Sequence, residues 1–196
     1  LTTEYGSAYS LKRYESYGQE CYGIVLPDYL PESEQIVNKN IEKAFIQALD
    51  IVKPDLIHFH SIQGLGVTML EICSERDIPI VITTHDFWWL YDHQFILSFD
   101  DKHKLRGVFE GHDSELIKDD ELNYYLLKKR KALSKATKII SPSEYTAKLY
   151  RHEGFKGTIT NKNGVEHPSN LEPKKPNRQV RFGYVGGNTD IKGYHL

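Results

Sequence analysis

Six polar side chains of the sequence lie at or just after the ends of short apolar runs and are of types that take part in chemistry. These side chains are His60, His85, Asp86, Ser141, Ser143 and Asn163. Histidine can donate or accept a proton near neutral pH, and carboxylate, hydroxyl and amide groups can hydrogen-bond a polar substrate. Because the six lie far apart in the chain, they can form one site only if the fold brings the ends of these runs together.

Five apolar runs indicate the strands that would position these side chains. The runs are residues 56–61, 78–86, 137–144, 158–164 and 180–187. Buried parallel strands are rich in consecutive Val, Ile, Leu and Phe rather than alternating, and helical stretches separate the runs. Ligands of open α/β sheets bind outside the carboxyl ends of the strands. The sequence therefore predicts the α/β class, with a Rossmann-like parallel sheet, helices on both faces and a site along one edge.

The segments between the predicted strands indicate helices and one long loop. Helices are expected over about 8–17 (closed by Gly18), 33–52, 66–76 and 115–135, with a long irregular excursion over 92–113. Ser141, Pro142 and Glu144 fit the N-cap, N1 and N3 positions of a further helix, which Gly154 would end.

The composition limits the class of protein. Lys and Arg total 25 and Asp and Glu total 27, so the net charge of −2 gives no overall attraction to nucleic acid. Cys21 and Cys73 lie in apolar surroundings without a CxxC pair, so we expect reduced core thiols and no disulfide. No apolar run approaches the roughly 20 residues of a spanning helix, and no signal peptide is apparent. The predicted location is cytoplasmic.

Five segments, in this order along the chain, carry a family resemblance. They are PDLIHFHSIQGL (54–65), THDFWWLYDHQ (84–94), IISPSEYTAKLY (139–150), NGVEHP (163–168) and FGYVGGNTDIKGYHL (182–196). The chain resembles the group 1, or family 4, retaining glycosyltransferases of GT-B fold. The resemblance implies transfer of a sugar from a nucleoside diphosphate sugar to an acceptor hydroxyl with retention, without an obligatory metal or other cofactor. It implies a carbohydrate or lipid-linked acceptor in polysaccharide or glycoconjugate synthesis, and no nucleic acid partner.

The resemblance also implies a division into domains. Residues 1–170 would form the N-terminal, acceptor-side domain, with its first strand missing. The polar, proline-rich residues 171–179 would be a linker, and residues 180–196 would begin a truncated nucleotide-sugar domain. On this interpretation the chain is a fragment that cannot turn over by itself.

His85 is the first choice for a residue at the reacting centre, with Asp86 beside it. His85 follows the strand 78–84 and would project into the crevice, where an imidazole can hydrogen-bond a sugar hydroxyl or stabilise positive charge. The alternative is that both residues merely cap the turn after the strand. His60 would line the same crevice, whereas His58 would lie deeper and be structural. No HxxxH, HExxH or Cys/His pairing indicates a metal.

Three further residues are candidates for substrate binding. Ser143 and Asn163 follow other strands of the sheet and would face the same edge. Trp88, in the aromatic run 87–91, could stack on the sugar faces of an acceptor. The alternative for Trp88 is packing beneath its own loop.

Glycines are the candidates for binding the donor diphosphate. Gly6 and the pair Gly186 and Gly187 would let the backbone approach the phosphates closely. The resemblance implies that Lys192, in a KG pair, adds positive charge. Gly187 stands where the family commonly has an arginine, which is a departure from its pattern.

Two other functions stay open. The departure at Gly187 favours a non-catalytic module that binds a nucleotide or a sugar. A nicotinamide-dependent oxidoreductase would need a GxGxxG motif after a first strand, and the sequence lacks one.

A basic stretch near 128–138 suggests a contact of a different kind. Residues 128–131 with Lys135 and Lys138 could touch anionic headgroups at the inner face of the membrane. A solvated helix face is the alternative interpretation.

Overall fold

The computed structural model describes residues 7–91, 94, 97–99, 105–108, 120–164 and 183–187. In chain order its elements are β1 (Leu11–Ser16), β2 (Gln19–Ile24), α1 (Glu32–Ile36), α2 (Lys39–Val52), β3 (Ile57–Phe59), α3 (Thr68–Glu75), β4 (Ile80–Thr83), β5 (Leu97–Phe99), β6 (Leu105–Val108), α4 (Asp120–Leu133), β7 (Lys138–Ser141), α5 (Glu144–His152) and β8 (Ile159–Thr160).

Four strands form a parallel sheet in the order β3-β4-β7-β8. Ile82 of β4 pairs with Phe59 of β3 and with Ile139 of β7, and it is fully buried, as expected for a strand between two others. The helices predicted over 66–76 and 115–135 are confirmed as α3 and α4. The structure thus confirms the α/β class, with a parallel sheet flanked by helices.

The carboxyl ends of these four strands meet at one edge, because parallel neighbours run in the same direction. In spatial order, the segments after the strands begin at His60, Thr84, Pro142 and Asn161. Four of the five predicted strands are confirmed in position, although each is shorter than its apolar run. We call this boundary of the sheet the carboxyl edge.

The predicted helix over 8–17 is wrong, because these residues enter an antiparallel hairpin. β1 pairs with β2 over its whole length, with Leu11 opposite Ile24. The two residues between the strands, Tyr17 and Gly18, have φ values of 50° and 74°. A two-residue turn with both residues in the left-handed region matches the twist of paired strands. Gly18 therefore closes a hairpin rather than a helix.

The predicted helix over 33–52 is interrupted between α1 and α2. Asn38 is extended, and its side-chain oxygen accepts hydrogen bonds from two backbone N–H groups at the start of α2, at 2.9 and 3.2 Å. Asn38 is therefore an N-cap, a position that asparagine favours. The backbone C=O of Ile36 accepts a hydrogen bond from the N–H of Val67 at 2.9 Å, so the interruption also fixes the start of α3.

The helix after β7 begins later than predicted. Ser141 is the last residue of β7 and is fully buried, so it is not the N-cap. The N-cap is Ser143, whose hydroxyl accepts a hydrogen bond from the N–H of Thr146 at 3.1 Å. A residue before proline avoids the helical region, which keeps Ser141 extended. Gly154 follows the end of α5 with φ of 99°, as predicted.

The excursion over 92–113 is not wholly irregular, since β5 and β6 pair there in antiparallel fashion. Strands of three and four residues are too short to show a periodicity in the sequence.

The last predicted strand, 180–187, is described only over 183–187, and these residues are exposed and irregular. This part of the strand prediction is wrong. Gly6, the linker 171–179 and Lys192 lie outside the described residues.

The two cysteines are free thiols in different surroundings. Cys73 on α3 is fully buried, as predicted, whereas Cys21 on β2 is only half-buried. Burial raises the pKa of the Cys73 thiol to about 11, because an apolar environment disfavours the thiolate.

We expect iodoacetamide to modify Cys21 and to spare Cys73 in the folded protein at about pH 8, since the thiolate is the reactive form. Both thiols should react in denaturant. Mass spectrometry of the peptides measures the two sites separately, and Cys21→Ser is the control for assignment. Equal modification of both cysteines in the folded protein would contradict the burial of Cys73.

Candidate functional site

Two histidines come together where β3 and β4 end. His60 directly follows β3 and His85 lies just after β4, so both stand at the carboxyl edge on neighbouring strands. Nδ1 of His60 and Nε2 of His85 are 3.0 Å apart, and the stacked rings have centroids 5.3 Å apart. Both residues are exposed. The carboxyl edge therefore presents a hydrogen-bonded pair of imidazoles to solvent.

His58 departs from the prediction that it lies deep. It is exposed on β3, and its ring centroid is 4.3 Å from that of His60. Its Nε2 is 2.8 Å from Oγ1 of Thr83 on β4. Since β3 is one of the two outer strands of the four-stranded sheet, its side chains are less covered than those of β4.

The surroundings of His60 favour its neutral form. Partial desolvation is the main cause that lowers the pKa of His60. The like charges of His58 and His85, when these are protonated, lower it further. A neutral imidazole has one N–H and one lone pair. His60 can therefore either donate to His85 or accept from it.

The lowered pKa of His60 predicts a small loss of stability in acid. The unfolded chain, where the pKa of histidine is about 6.5, binds more protons than the folded one between the two pKa values. Stability should fall as the pH drops through about 6.5 toward the lower folded pKa, and exposure of the ring keeps the effect small. Urea unfolding at about pH 7.5 and about pH 5.5 measures it. His60→Asn should lessen the pH dependence, and an unchanged dependence would refute this cause.

The carboxylate of Asp86 accepts hydrogen bonds from the loop after β3 and from its own loop after β4. Its Oδ1 accepts a hydrogen bond from the N–H of Trp88 at 3.0 Å. Its Oδ2 accepts from Nε2 of Gln63 at 3.1 Å and from Nε2 of Gln94 at 2.8 Å. The hydroxyl of Ser61 donates in turn to Gln63. These contacts join the loops after β3 and β4 and favour a positioning role for Asp86.

Tyr150 holds the backbone of Asp86 from α5. It is fully buried, and its hydroxyl donates to the C=O of Asp86 at 2.9 Å. Burial raises the pKa of Tyr150, so the phenol keeps its proton for this hydrogen bond. Nearby, the buried hydroxyls of Thr84 and Ser141 are 2.7 Å apart and join β4 to β7. Sequence reasoning did not identify Tyr150, because its contact is with a backbone atom distant in sequence.

Trp88 is half-buried between the ring of Trp89 and the ammonium group of Lys129. Its ring meets Trp89 edge-on with centroids 4.9 Å apart, and Nζ of Lys129 lies 5.1 Å from its centroid. Lys129 is buried on α4 and donates to the C=O of Tyr91 at 3.0 Å. Part of the indole is thus committed to packing within its loop, and the remaining exposed part could contact a sugar.

Ser143 and Asn163 follow β7 and β8 along the carboxyl edge. The Ser143 hydroxyl is half-buried and serves as the N-cap of α5, whereas Asn163 is exposed. Asn161, just before it, anchors the segment by donating its N–H to the C=O of Ser141 at 2.9 Å.

Gly186 and Gly187 lie in an exposed, irregular segment. The hydroxyl of Tyr184 donates to the C=O of Gly187 at 2.6 Å. A Cβ at position 186 would lie 2.8 Å from this hydroxyl, closer than real Cβ contacts, so a side chain there would displace the flexible ring of Tyr184. Glycine at 186 fits this tight turn.

The basic run 128–131 is only partly turned to solvent. Lys129 is buried, and Arg130 pairs with Oε2 of Glu153 at 2.9 Å while donating to the C=O of Glu153 at 2.7 Å. Nζ of Lys128 also lies 5.4 Å from the ring centroid of Tyr124 on the same helix. Three of the four cations therefore contact the protein, so the run is neither uniformly solvated nor a wholly basic outer face. Of the helices in the described residues, none combines the length and the apolar character needed to cross a membrane.

The chemistry of the carboxyl edge is that of hydrogen bonding. Within the described ranges, no group of three or more His, Cys, Asp or Glu residues is placed to hold a metal ion. Imidazole nitrogens, a hydroxyl and an amide at one edge suit a ligand rich in hydroxyl groups.

The fold and this edge define a Rossmann-like domain, in which polar side chains collect after parallel strands. Residues 8–167 match Glycosyltransferase Family 4. The match covers most of the chain, and the chain belongs to this family. No curated protein and no solved structure matches the chain.

Proposed function

We propose that this protein transfers a sugar from a nucleoside diphosphate sugar to an acceptor hydroxyl, with retention of configuration at the anomeric carbon. Membership in Glycosyltransferase Family 4 supports sugar transfer as the class of reaction. The observation that carries the proposal is the exposed pair of His60 and His85 at the carboxyl edge, where ligands of open α/β sheets bind.

In this proposal His85 contacts the transferred sugar. A neutral imidazole can hydrogen-bond a sugar hydroxyl, and its lone pair can stabilise positive charge that develops as the nucleoside diphosphate departs. Asp86 keeps the loop of His85 in place through its bonds to Gln63, Gln94 and Trp88. His60, the exposed part of Trp88, Ser143 and Asn163 would contact the sugar or the acceptor.

The donor diphosphate is proposed to bind at Gly6, Gly186, Gly187 and Lys192. Support for the glycine pair comes from its exposed position and from the open space at Gly187, where a Cβ would meet no atom within 4 Å. The roles of Gly6 and Lys192 rest on the resemblance to the family. The nucleoside diphosphate sugar is a co-substrate, and we propose that no metal or other cofactor is required.

The acceptor is proposed to be a carbohydrate or a lipid-linked molecule in polysaccharide or glycoconjugate synthesis. A cytoplasmic protein with such an acceptor would work near the inner face of the membrane. The exposed residues Lys131, Lys135 and Lys138 supply positive charge for this contact, at about 1 kcal/mol for each basic residue near an anionic surface.

The experiment is an assay of nucleoside diphosphate release by the complete protein from UDP-, GDP- and dTDP-sugars. Carbohydrate and lipid-linked acceptors are supplied, and each reaction is repeated with EDTA. We expect acceptor-dependent release from one donor class, unchanged by EDTA, and NMR of the product should show the anomeric configuration of the donor. Binding of a nucleotide sugar without transfer to any acceptor would favour the non-catalytic module instead.

A further inference from the structure

The contact between His60 and His85 determines which ring nitrogen of His85 remains available to a ligand. Nδ1 of His60 is 3.0 Å from Nε2 of His85. A neutral imidazole carries one proton on its two nitrogens. The contact is favourable only when one of the facing atoms has a hydrogen and the other a lone pair, because two like groups repel.

This requirement links the tautomers of the two rings. If His60 donates from Nδ1, then His85 accepts at Nε2 and carries its own proton on Nδ1. If His85 donates from Nε2, then its Nδ1 has the lone pair. In either arrangement Nε2 of His85 is occupied, and Nδ1 is the nitrogen left for a ligand.

We propose that His60 is a positioning residue for His85, whose hydrogen bond couples the tautomer of His85 to that of His60 and orients the imidazole at the carboxyl edge. The consequence for the transferred sugar rests on the proposed function, whereas the coupling of the two rings does not.

The surroundings of the pair are suited to this role, because the ring of His60 and the backbone beside His85 are each held by other residues. The ring of His60 packs at a tilt against that of His58, which in turn contacts Thr83 on the neighbouring strand at 2.8 Å. The residue after His85 is fixed through both its side chain and its C=O. A hydrogen bond between two rings anchored in this way restricts the orientation of His85 before any ligand arrives.

The direct test is the ring spectrum of His85 in the complete protein labelled with ¹⁵N-histidine. Long-range ¹H–¹⁵N correlations distinguish the two neutral tautomers. We expect the same tautomer population at His60 and His85 in the unsubstituted protein, and a changed population at His85 in His60→Phe, which keeps a ring but has no nitrogen. The same His85 spectrum in both proteins would overturn the inference.

Amide substitutions keep the test decisive if the phenylalanine disturbs the fold. The side-chain amide of asparagine occupies about the position of Nδ1, whereas that of glutamine lies one bond farther from the backbone. His60→Asn should therefore preserve a hydrogen bond to Nε2 of His85, and His60→Gln should not. The matched control is His58→Phe, two residues earlier and also exposed, which keeps a ring beside His60 and should leave the His85 tautomer unchanged. An effect of His58→Phe equal to that of His60→Phe would contradict a specific role of His60.

Transfer kinetics separate this inference from the proposed function. Loss of an orienting partner costs about 10- to 100-fold in metal-ligand histidines, and we expect a loss of that order in kcat for His60→Phe, with partial rescue in His60→Asn. A dependence of the His85 tautomer on His60 in a protein without transferase activity would support the inference and refute the function. Transfer with an unaltered tautomer in His60→Phe would support the function and refute the inference.

Discussion

His85→Ala is expected to lower kcat/KM for sugar transfer by about 100-fold or more, the effect that a positioned side chain exerts on a transition state. The substitution removes both the proposed contact with the sugar and the partner of His60. His85 is exposed, so its loss should change the free energy of unfolding by less than about 0.5 kcal/mol. Initial rates with the preferred donor and a urea melt of the same sample measure the two quantities.

The control for this substitution is His152→Ala. His152 is an exposed histidine at the end of α5, 3.6 Å from the carboxylate of Glu153. The His152→Ala protein should transfer the sugar at the same rate as the unsubstituted protein. Equal rates in His85→Ala and His152→Ala would mean that the imidazole at the carboxyl edge does not take part in transfer.

Tyr150→Ala should destabilise the fold by about 3–5 kcal/mol, the usual cost of removing a large buried ring. Tyr150 is fully buried, with its ring centroid 6.3 Å from that of Phe155, and its hydroxyl holds the C=O of Asp86. The substitution therefore opens a cavity and frees the backbone next to His85. Urea unfolding followed by circular dichroism measures the loss.

Tyr150→Phe separates the hydrogen bond from the packing. It keeps the ring and should cost about 1 kcal/mol, with a reduced rate of transfer because the Asp86 peptide is less restrained. Tyr145→Ala, on the same helix but exposed, should stay within about 0.5 kcal/mol of the unsubstituted protein. A loss in Tyr145→Ala as large as in Tyr150→Ala would contradict the burial on which the prediction rests.

The parallel sheet could be predicted from the sequence because its strands are buried. Ile80 and Ile82 are almost inaccessible to solvent, and the Val/Ile-rich run that contains them has few other stable placements. Once the strands run parallel, their ends must share an edge. That argument alone placed His60 and His85 on neighbouring strands.

The N-terminal hairpin could not be predicted in the same way. Tyr17 and Gly18 are compatible with the end of a helix as well as with a two-residue turn. The pairing of β1 with β2 decides between the two, and it depends on contacts that a helical periodicity does not report. The positive φ of Tyr17, a residue that is not glycine, is the feature that the sequence did not indicate.

The contacts within the site were also beyond sequence reasoning. The 3.0 Å contact of His60 with His85 depends on side-chain torsions and on the path of the loop after β4. Gln63 and Tyr150 reach Asp86 across 23 and 64 positions of sequence. The sequence around Gln63 and Tyr150 has no motif that would identify them as contacts of Asp86.

The basic run shows how burial can override a charge pattern. Four consecutive cations predict a solvated or membrane-facing surface, yet Lys129 is buried against the indole of Trp88 and the C=O of Tyr91. A carbonyl oxygen and an aromatic face together stabilise a cation that is removed from water. The sequence has no pattern that separates Lys129 from its exposed neighbour Lys131.

The most direct measurement is a titration of the ¹⁵N-histidine-labelled complete protein with the nucleoside diphosphate sugar that it uses. If the transferred sugar meets the carboxyl edge, the ring signals of His60 and His85 should shift in proportion to occupancy, while those of His152 stay in place. Saturable binding of the donor with no change at His60 and His85 would contradict the proposal that this edge is the site of sugar transfer.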